Sequence, residues 1–280
     1  TMNTPPLNSQ ADHIAFIGGG NMASAIIGGL LQRGLPAAQI LVVEPFAEQR
    51  ARLVQQFQVS VSEQPDAALE RANLVVWAVK PQTFKEAAAQ TRVHTLKALH
   101  LSVAAGIRSG SIATWLGSER VVRAMPNTPA LIGKGMTALF ARPAVTAADR
   151  LAVAQVIETT GDSLWLDEEE QLDAVTALSG SGPAYVFYFI EAMIEAGTSM
   201  GLRREQAQQL AIKTFTGASE LAQNSEESPD VLRARVTSKG GTTYAALTSM
   251  EQSGIKQQFI NAMQAARQRA GELGDEFGTT

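Results

Sequence analysis

The residues best suited to chemistry in this chain are glycines and hydroxyls. Gly18-Gly-Gly20-Asn-Met-Ala23 follows the apolar run His13-Ile-Ala-Phe-Ile17 and opens a helical pattern, so it fits G-x-G-x-x-[GA] with alanine in the third place. The first glycine permits a tight strand-to-helix turn, the second lets backbone approach a pyrophosphate, and the small third residue keeps helix close to sheet. Amides at the helix start then face phosphate with a favourable dipole. Glu44, 24 residues after Gly20, ends the second apolar run. An acid there bonds a ribose 2′-hydroxyl and favours NAD. Against that, Pro45 limits the local turn, and Arg50 and Arg52 lie within reach of a 2′-phosphate, although a solvated helix face explains them better.

Three more segments follow β-like runs: Ala78-Val-Lys-Pro81, Ser102-Val-Ala-Ala-Gly106 and Arg123-Ala-Met-Pro-Asn-Thr-Pro129. Ligands of open α/β sheets bind at such strand ends. Ala104, Ala105 and Gly106 are small enough for a flat nicotinamide ring to approach backbone, and Lys80 brings a positive charge toward phosphate or ribose. Two Gly/Ser/Thr-rich loops occur later, Leu178-Ser-Gly-Ser-Gly-Pro-Ala-Tyr185 and Val236-Thr-Ser-Lys-Gly-Gly-Thr-Thr243. Amides and hydroxyls stacked at a helix start suit a small carboxylate.

What is missing narrows the chemistry. The 280 residues include no cysteine, and the three histidines, His13, His94 and His100, have no metal-ligand spacing. Disulfides, thiolate metal sites and a cysteine nucleophile are therefore excluded, and no metal site is expected. A net charge of −4, from 23 Lys+Arg against 27 Asp+Glu, argues against nucleic acid as partner, since that needs a basic face. Thr1–Asp12 is polar, with neither the basic nor the apolar region of a signal peptide. The apolar runs fall short of the roughly 20 residues that a membrane span needs. A cytoplasmic protein is expected.

These residues need elements to hold them. Strands are predicted over 13–17, 40–44, 59–61, 74–79, 100–103, 120–124, 136–141 and 161–166, with helices over 21–33, 46–57, near Ala67, and over 146–158 with Thr146 as N-cap. Strand–helix alternation predicts an α/β Rossmann-like, doubly wound parallel sheet over residues 1–167. From 168 to 280 only helical patterns occur: 168–177, 183–200, 203–223, 229–236, 242–250 and 255–272. This predicts an all-α second domain. Tyr185-Val-Phe-Tyr-Phe-Ile190 puts apolar residues on every face of its helix, which predicts burial all round, either within the domain or against a second copy of the chain.

The chain resembles the pyrroline-5-carboxylate reductase family along essentially its whole length. The resemblance rests on Phe16-Ile-Gly-Gly-Gly-Asn-Met-Ala23, Val79-Lys-Pro81, Met125-Pro-Asn-Thr-Pro129, Ser179-Gly-Ser-Gly-Pro-Ala-Tyr185 and, most specifically, Leu232-x-x-x-Val-Thr-Ser-Lys-Gly-Gly-Thr-Thr243. It implies hydride transfer from NADPH or NADH to the C=N bond of 1-pyrroline-5-carboxylate, giving L-proline. It also implies a homodimer through an all-α C-terminal dimerisation domain, in many members assembled further to a decamer. By position, the resemblance gives Gly18, Gly19, Gly20, Asn21 and Met22 to the pyrophosphate and Ala78, Lys80 and Pro81 to the adenosine side. Ala104, Ala105, Gly106 and Asn127 fall to the nicotinamide. It gives Ser238, Gly241, Thr242 and Thr243 to the substrate, with the Thr243 hydroxyl near the ring nitrogen, and associates Glu169 and Glu226 with the substrate pocket. Many bacterial relatives carry Asn-Arg after the second strand; Glu44-Pro45 stands here, so the dinucleotide preference stays open.

Two other functions compete. A hydroxyacid dehydrogenase of related build would use a lysine of the helical half, for which Lys213, Lys239 and Lys256 are available; Lys213 reads as a surface residue. A nucleotide-sensing regulator would need the first half but not the hydroxyl-rich loop at Val236–Thr243.

Overall fold

An apolar run without alternation must be covered on both faces, and Ile14–Ile17 is such a run. In the computed structural model, which describes residues 13–278, this run forms β1 and is buried throughout. The reading of Thr1–Asp12 lies outside the described residues. β1 pairs in parallel with β2 (Ile40–Val43) on one side and β4 (Leu74–Trp77) on the other. With β3 (Ser60–Ser62), β5 (Leu99–Ser102), β6 (Val121–Met125), β7 (Gly135–Ala141) and β8 (Gly161–Trp165), they form one sheet ordered β3-β2-β1-β4-β5-β6-β7-β8.

Strands β1 to β6 run parallel, as the alternation predicts. β7 is antiparallel to β6, and β8 parallel to β7. The reversal has a simple cause. Only residues 126–134, with one 3-10 turn at Thr128–Ile132, separate β6 from β7. A parallel return takes a crossover of a dozen residues or more.

Helices α1 (Asn21–Gln32), α2 (Ala47–Phe57), α3 (Pro81–Thr91), α4 (Ser109–Leu116) and α5 (Ala147–Ile157) cover the sheet. One apolar cluster joins Ile14 and Phe16 to Ile26, Ile27 and Leu30 of α1, Leu53 of α2 and Val153 of α5. The other joins Ala15 and Ile17 to Trp77, Phe84 of α3 and Ile112 of α4. Alternate residues of β1 thus feed opposite cores. Thr146 caps α5 as expected, in a reciprocal capping box with Asp149. The patterns predict no helix over α3 or α4; Pro81 in the first turn of α3 is a start signal they carried. The helix expected over 168–177 is shorter, α6 (Gln171–Val175), and runs into a π-helical turn at Thr176–Gly180.

The chain folds as two units. The first ends at Gly180 and resumes at Ala266; the second is Ser181–Ala265. In the second lie α7 (Gly182–Ser199), α8 (Arg204–Gln223), α9 (Pro229–Arg235), α10 (Thr242–Gln252) and the first part of α11 (Ile255–Gly278). Helices α7 and α8 approach closely, because a Cβ on Gly197 would lie 3.0 Å from that of Ala207. Ile194, Ala207 and Ala211 are buried there, with Ile190 against them. Tyr185 and Phe189 each meet Phe259 edge-on at 5.5 Å. The expectation that α7 is buried all round fails within one chain: Phe187 is 60% and Tyr188 69% exposed. A helix apolar on every face needs more covering surface than α8 and Phe259 of α11 supply.

Candidate functional site

A groove of about 990 Å³ opens at the carboxyl ends of β1, β2 and β4. Its floor is the glycine turn. Gly18 has φ +92, and a Cβ there would lie 2.5 Å from the Ala78 carbonyl oxygen, so only glycine fits. The Gly18 amide donates to the Val43 carbonyl and the Ala78 amide to that of Ile17, each at 2.8 Å, which fixes three strand ends around the turn. A Cβ on Gly19 would collide with Leu53 Cδ1 at 2.5 Å, whereas one on Gly20 would enter open space. Gly20 is the N-cap of α1 and no side chain caps that helix. The first amides of α1 therefore lack an intrahelical partner and are free to bind an anion.

These observations fit the pyrophosphate of a dinucleotide. The groove brings together Gly18, Gly19, Gly20, Glu44, Ala78 and Lys80. Asn21, Met22, Pro81, Ala104, Ala105, Gly106 and Asn127 do not line it. Ala104 is buried and Ala105 exposed in the loop after β5; Gly106 has φ +74 and packs against Leu273 and Phe277 at the end of α11. Much of the remaining lining went unread, and two of those residues matter most. Gln49 Nε2 donates to the Gly19 carbonyl at 2.6 Å, and Phe46, 73% exposed, stands on the wall. An aromatic directly after Glu44-Pro45 was the available signal for the second; nothing local marked Gln49.

Glu44 is only 6% exposed. One carboxylate oxygen accepts from the Gly19 amide and the other from the Phe46 amide, both at 2.9 Å. Arg50 donates to the carbonyls of Glu44 and Pro45, each at 2.7 Å, and pairs with Glu63 at 3.4 Å.

Beside the groove-forming strands lies a polar network within the first unit. Arg123, buried on β6, meets Glu169 at 2.6 Å. The amide and hydroxyl of Ser109, at the start of α4, donate to the two oxygens of Glu169, each at 2.6 Å. Burial alone would raise the Glu169 pKa; the Ser109 hydroxyl, the Arg123 charge and the Ser109 amide together hold it below the ordinary value. Arg108 grips Asp173 with two bonds, at 3.1 and 2.8 Å. The Asn127 side chain is likewise committed: it donates to the Ser179 carbonyl at 3.1 Å and accepts from the Met136 amide at 2.9 Å.

In the second unit, the expected substrate residues share one loop. Gly240 has φ +75, and Gly241 is the N-cap of α10 with no side-chain cap, so Thr242 and Thr243 sit in its first turn. A Cβ on Gly241 would lie 2.6 Å from Ser238 Oγ, so glycine lets that hydroxyl lie against the turn. Ser238 is exposed and Thr243 half-buried. Glu226 is exposed in the stretch before α9; its neighbour Glu227 pairs with Arg235. Lys213, Lys239 and Lys256 are all exposed.

A glycine turn aimed into a groove at the switch point of a doubly wound sheet, joined to a helical unit, defines an NAD(P)-dependent oxidoreductase. The residues support this by comparison as well. A family model described as NADP oxidoreductase, coenzyme F420-dependent, matches residues 13–106, and one described as pyrroline-5-carboxylate reductase dimerisation matches residues 169–273. The chain is 47% identical to the pyrroline-5-carboxylate reductase of Pseudomonas aeruginosa, over 95% of this chain and 98% of that one. Its structure resembles a pyrroline-5-carboxylate reductase from Coxiella burnetii with a TM-score of 0.87, at 36% identity, covering 94% of this chain and 99% of that one. The Plasmodium falciparum pyrroline carboxylate reductase with NADP bound superposes with a TM-score of 0.85, at 27% identity, covering 95% and 100%. The chain belongs to the pyrroline-5-carboxylate reductase family.

Proposed function

We propose that the chain reduces the C=N bond of 1-pyrroline-5-carboxylate to give L-proline. The observation that carries this reading is the 47% identity to a reductase of that name across 98% of its length. The reduced nicotinamide dinucleotide supplies the hydride when bound. A protonated imine is already electrophilic, so the chain's own work is to bind, orient and hydrogen-bond. Orientation of this kind contributes up to about 7–11 kcal/mol in well-placed systems.

In this reading Gly18, Gly19, Gly20, Asn21 and Met22 hold the pyrophosphate, and Ala78, Lys80 and Pro81 the adenosine side. Ala104, Ala105 and Gly106 accept the nicotinamide. Ser238, Gly241 and Thr242 take the substrate carboxylate, and the Thr243 hydroxyl bonds the ring nitrogen. Asn127 lines the nicotinamide side and Glu169 the substrate pocket, the first held in place by Ser179 and the second by Ser109. Glu226 is kept as a substrate-side residue. The functional division falls between residues 167 and 168. The exposed apolar face of α7, in a segment matched by a dimerisation family, supports a homodimer, with a decamer as its further assembly. A cytoplasmic location and the absence of a nucleic-acid partner complete the reading. Among the described residues no helix is long and apolar enough to cross a membrane.

The test is initial-rate reduction of 1-pyrroline-5-carboxylate by wild type and Thr243→Ala. We expect Thr243→Ala to lower kcat by about a hundredfold, in the range of a lost proton-handling group, with dinucleotide affinity unchanged. Wild-type turnover would remove Thr243 from the mechanism. Oxidation of hydroxyacids in preference to proline would replace the reading altogether.

A further inference from the structure

The dinucleotide reading of the groove leaves open which dinucleotide it holds, and the end of β2 bears on that choice. Resting on that reading, we infer that the groove selects the dinucleotide with a free ribose 2′-hydroxyl, NADH, over its 2′-phosphorylated form, and that Glu44 decides the selection.

Three observations carry this. First, the Glu44 carboxylate is fixed. It lies buried under the turn and accepts from the amides of Gly19 and Phe46 at 2.9 Å each, so swinging it aside would strand two backbone donors. Each oxygen keeps accepting capacity, which a ribose hydroxyl can use and a phosphate, having no proton to offer, cannot. Second, the nearby cations already have partners, firmly for Arg50 and in an exposed pair for Arg52. The Arg50 guanidinium is spread over the Glu44 and Pro45 carbonyls and Glu63. Arg52 pairs with Glu48 at 2.5 Å. Third, the groove wall carries Glu44, Glu48, Glu63 and Glu86 against Arg52 and Lys80. The lining thus carries two more negative than positive side chains, so the charge of an added phosphate is opposed as well as unpaired.

The experiment measures binding, so it does not depend on turnover. NADH and NADPH are titrated against the purified protein by nicotinamide fluorescence, and ADP-ribose and 2′-phospho-ADP-ribose by calorimetry, for wild type and Glu44→Gln. We expect wild type to bind NADH at least tenfold more tightly than NADPH, with the same order for the ADP-ribose pair. Glu44→Gln should cut that ratio at least fivefold while its circular dichroism matches wild type. Equal or tighter binding of NADPH by wild type overturns the inference while leaving the dinucleotide reading in place. Failure of all four nucleotides to bind overturns that reading, and the inference with it. If Glu44→Gln does not fold, the two wild-type pairs still decide.

Discussion

The two units meet the same demand, covering apolar surface, in opposite ways. In the first unit a sheet is sealed on both faces, and Phe16, Ile26, Trp77, Phe84 and Ile112 are fully buried. In the second, only three apolar side chains of one helix pair form a buried cluster, while α7 presents Phe187 and Tyr188 to the surface. Apolar side chains on every face of a helix therefore mark a need for cover without saying which chain provides it. The first unit carries its stability within itself; the second is built to gain stability by association.

Four changes would break or sharpen that contrast. The largest expected effect is Arg123→Met. It leaves the half-buried Glu169 without its cation, and removing one partner of a buried pair costs about 3–5 kcal/mol. Urea unfolding should show this loss in the first unit, and a change under 1 kcal/mol would make the network dispensable. Next is Gly18→Ala, which forces a side chain into a left-handed turn 2.5 Å from the Ala78 carbonyl oxygen. We expect dinucleotide affinity to fall about a hundredfold, near 2.7 kcal/mol, with oligomeric state unchanged. Titration and sedimentation together check it.

The third concerns pH. His100 is buried on β5 and accepts from Trp77 Nε1 at 3.1 Å. Burial, and then the Arg120 charge, push its pKa down from 6.5 to about 4. The unfolded chain thus binds the proton more readily, so this contribution is fully present above pH 6.5 and is lost as pH falls through about 4. Between pH 8 and 5 stability should drop by about 2 kcal/mol from this group. The slope should largely vanish in His100→Gln; an unchanged slope assigns the pH dependence elsewhere. The smallest effect is Phe187→Ser, expected to weaken the proposed dimer about tenfold, near 1.4 kcal/mol, while leaving the His100-dependent slope untouched. Sedimentation across a concentration series reads it; unaltered association would place the interface on another face.

How much of this was legible beforehand depends on whether the signal is local. The glycine turn was legible because glycine type, spacing and the preceding apolar run lie within ten residues. The cap at Thr146 was legible for the same reason. The reversal at β7 was not, since an apolar strand reads alike in both directions. The Arg123–Glu169 pair was hidden because its members lie 46 positions apart, one inside an apolar strand and the other among acidic residues. Glu44 fell between the two: its place was readable, but its two amide partners were not.

The end of α11 has a consequence for how the molecule is made. Leu273 and Phe277 pack on Gly106, Arg108 presses on Gly274, and the Ser111 hydroxyl donates to the Gly278 carbonyl across 167 positions of sequence. The first unit is therefore closed by residues that follow the whole of the second. Such long-range contacts carry a loop-closure cost and form slowly. On a ribosome, the strands that build the glycine turn emerge early, yet the loop after β5 waits for the last helix before it is fastened.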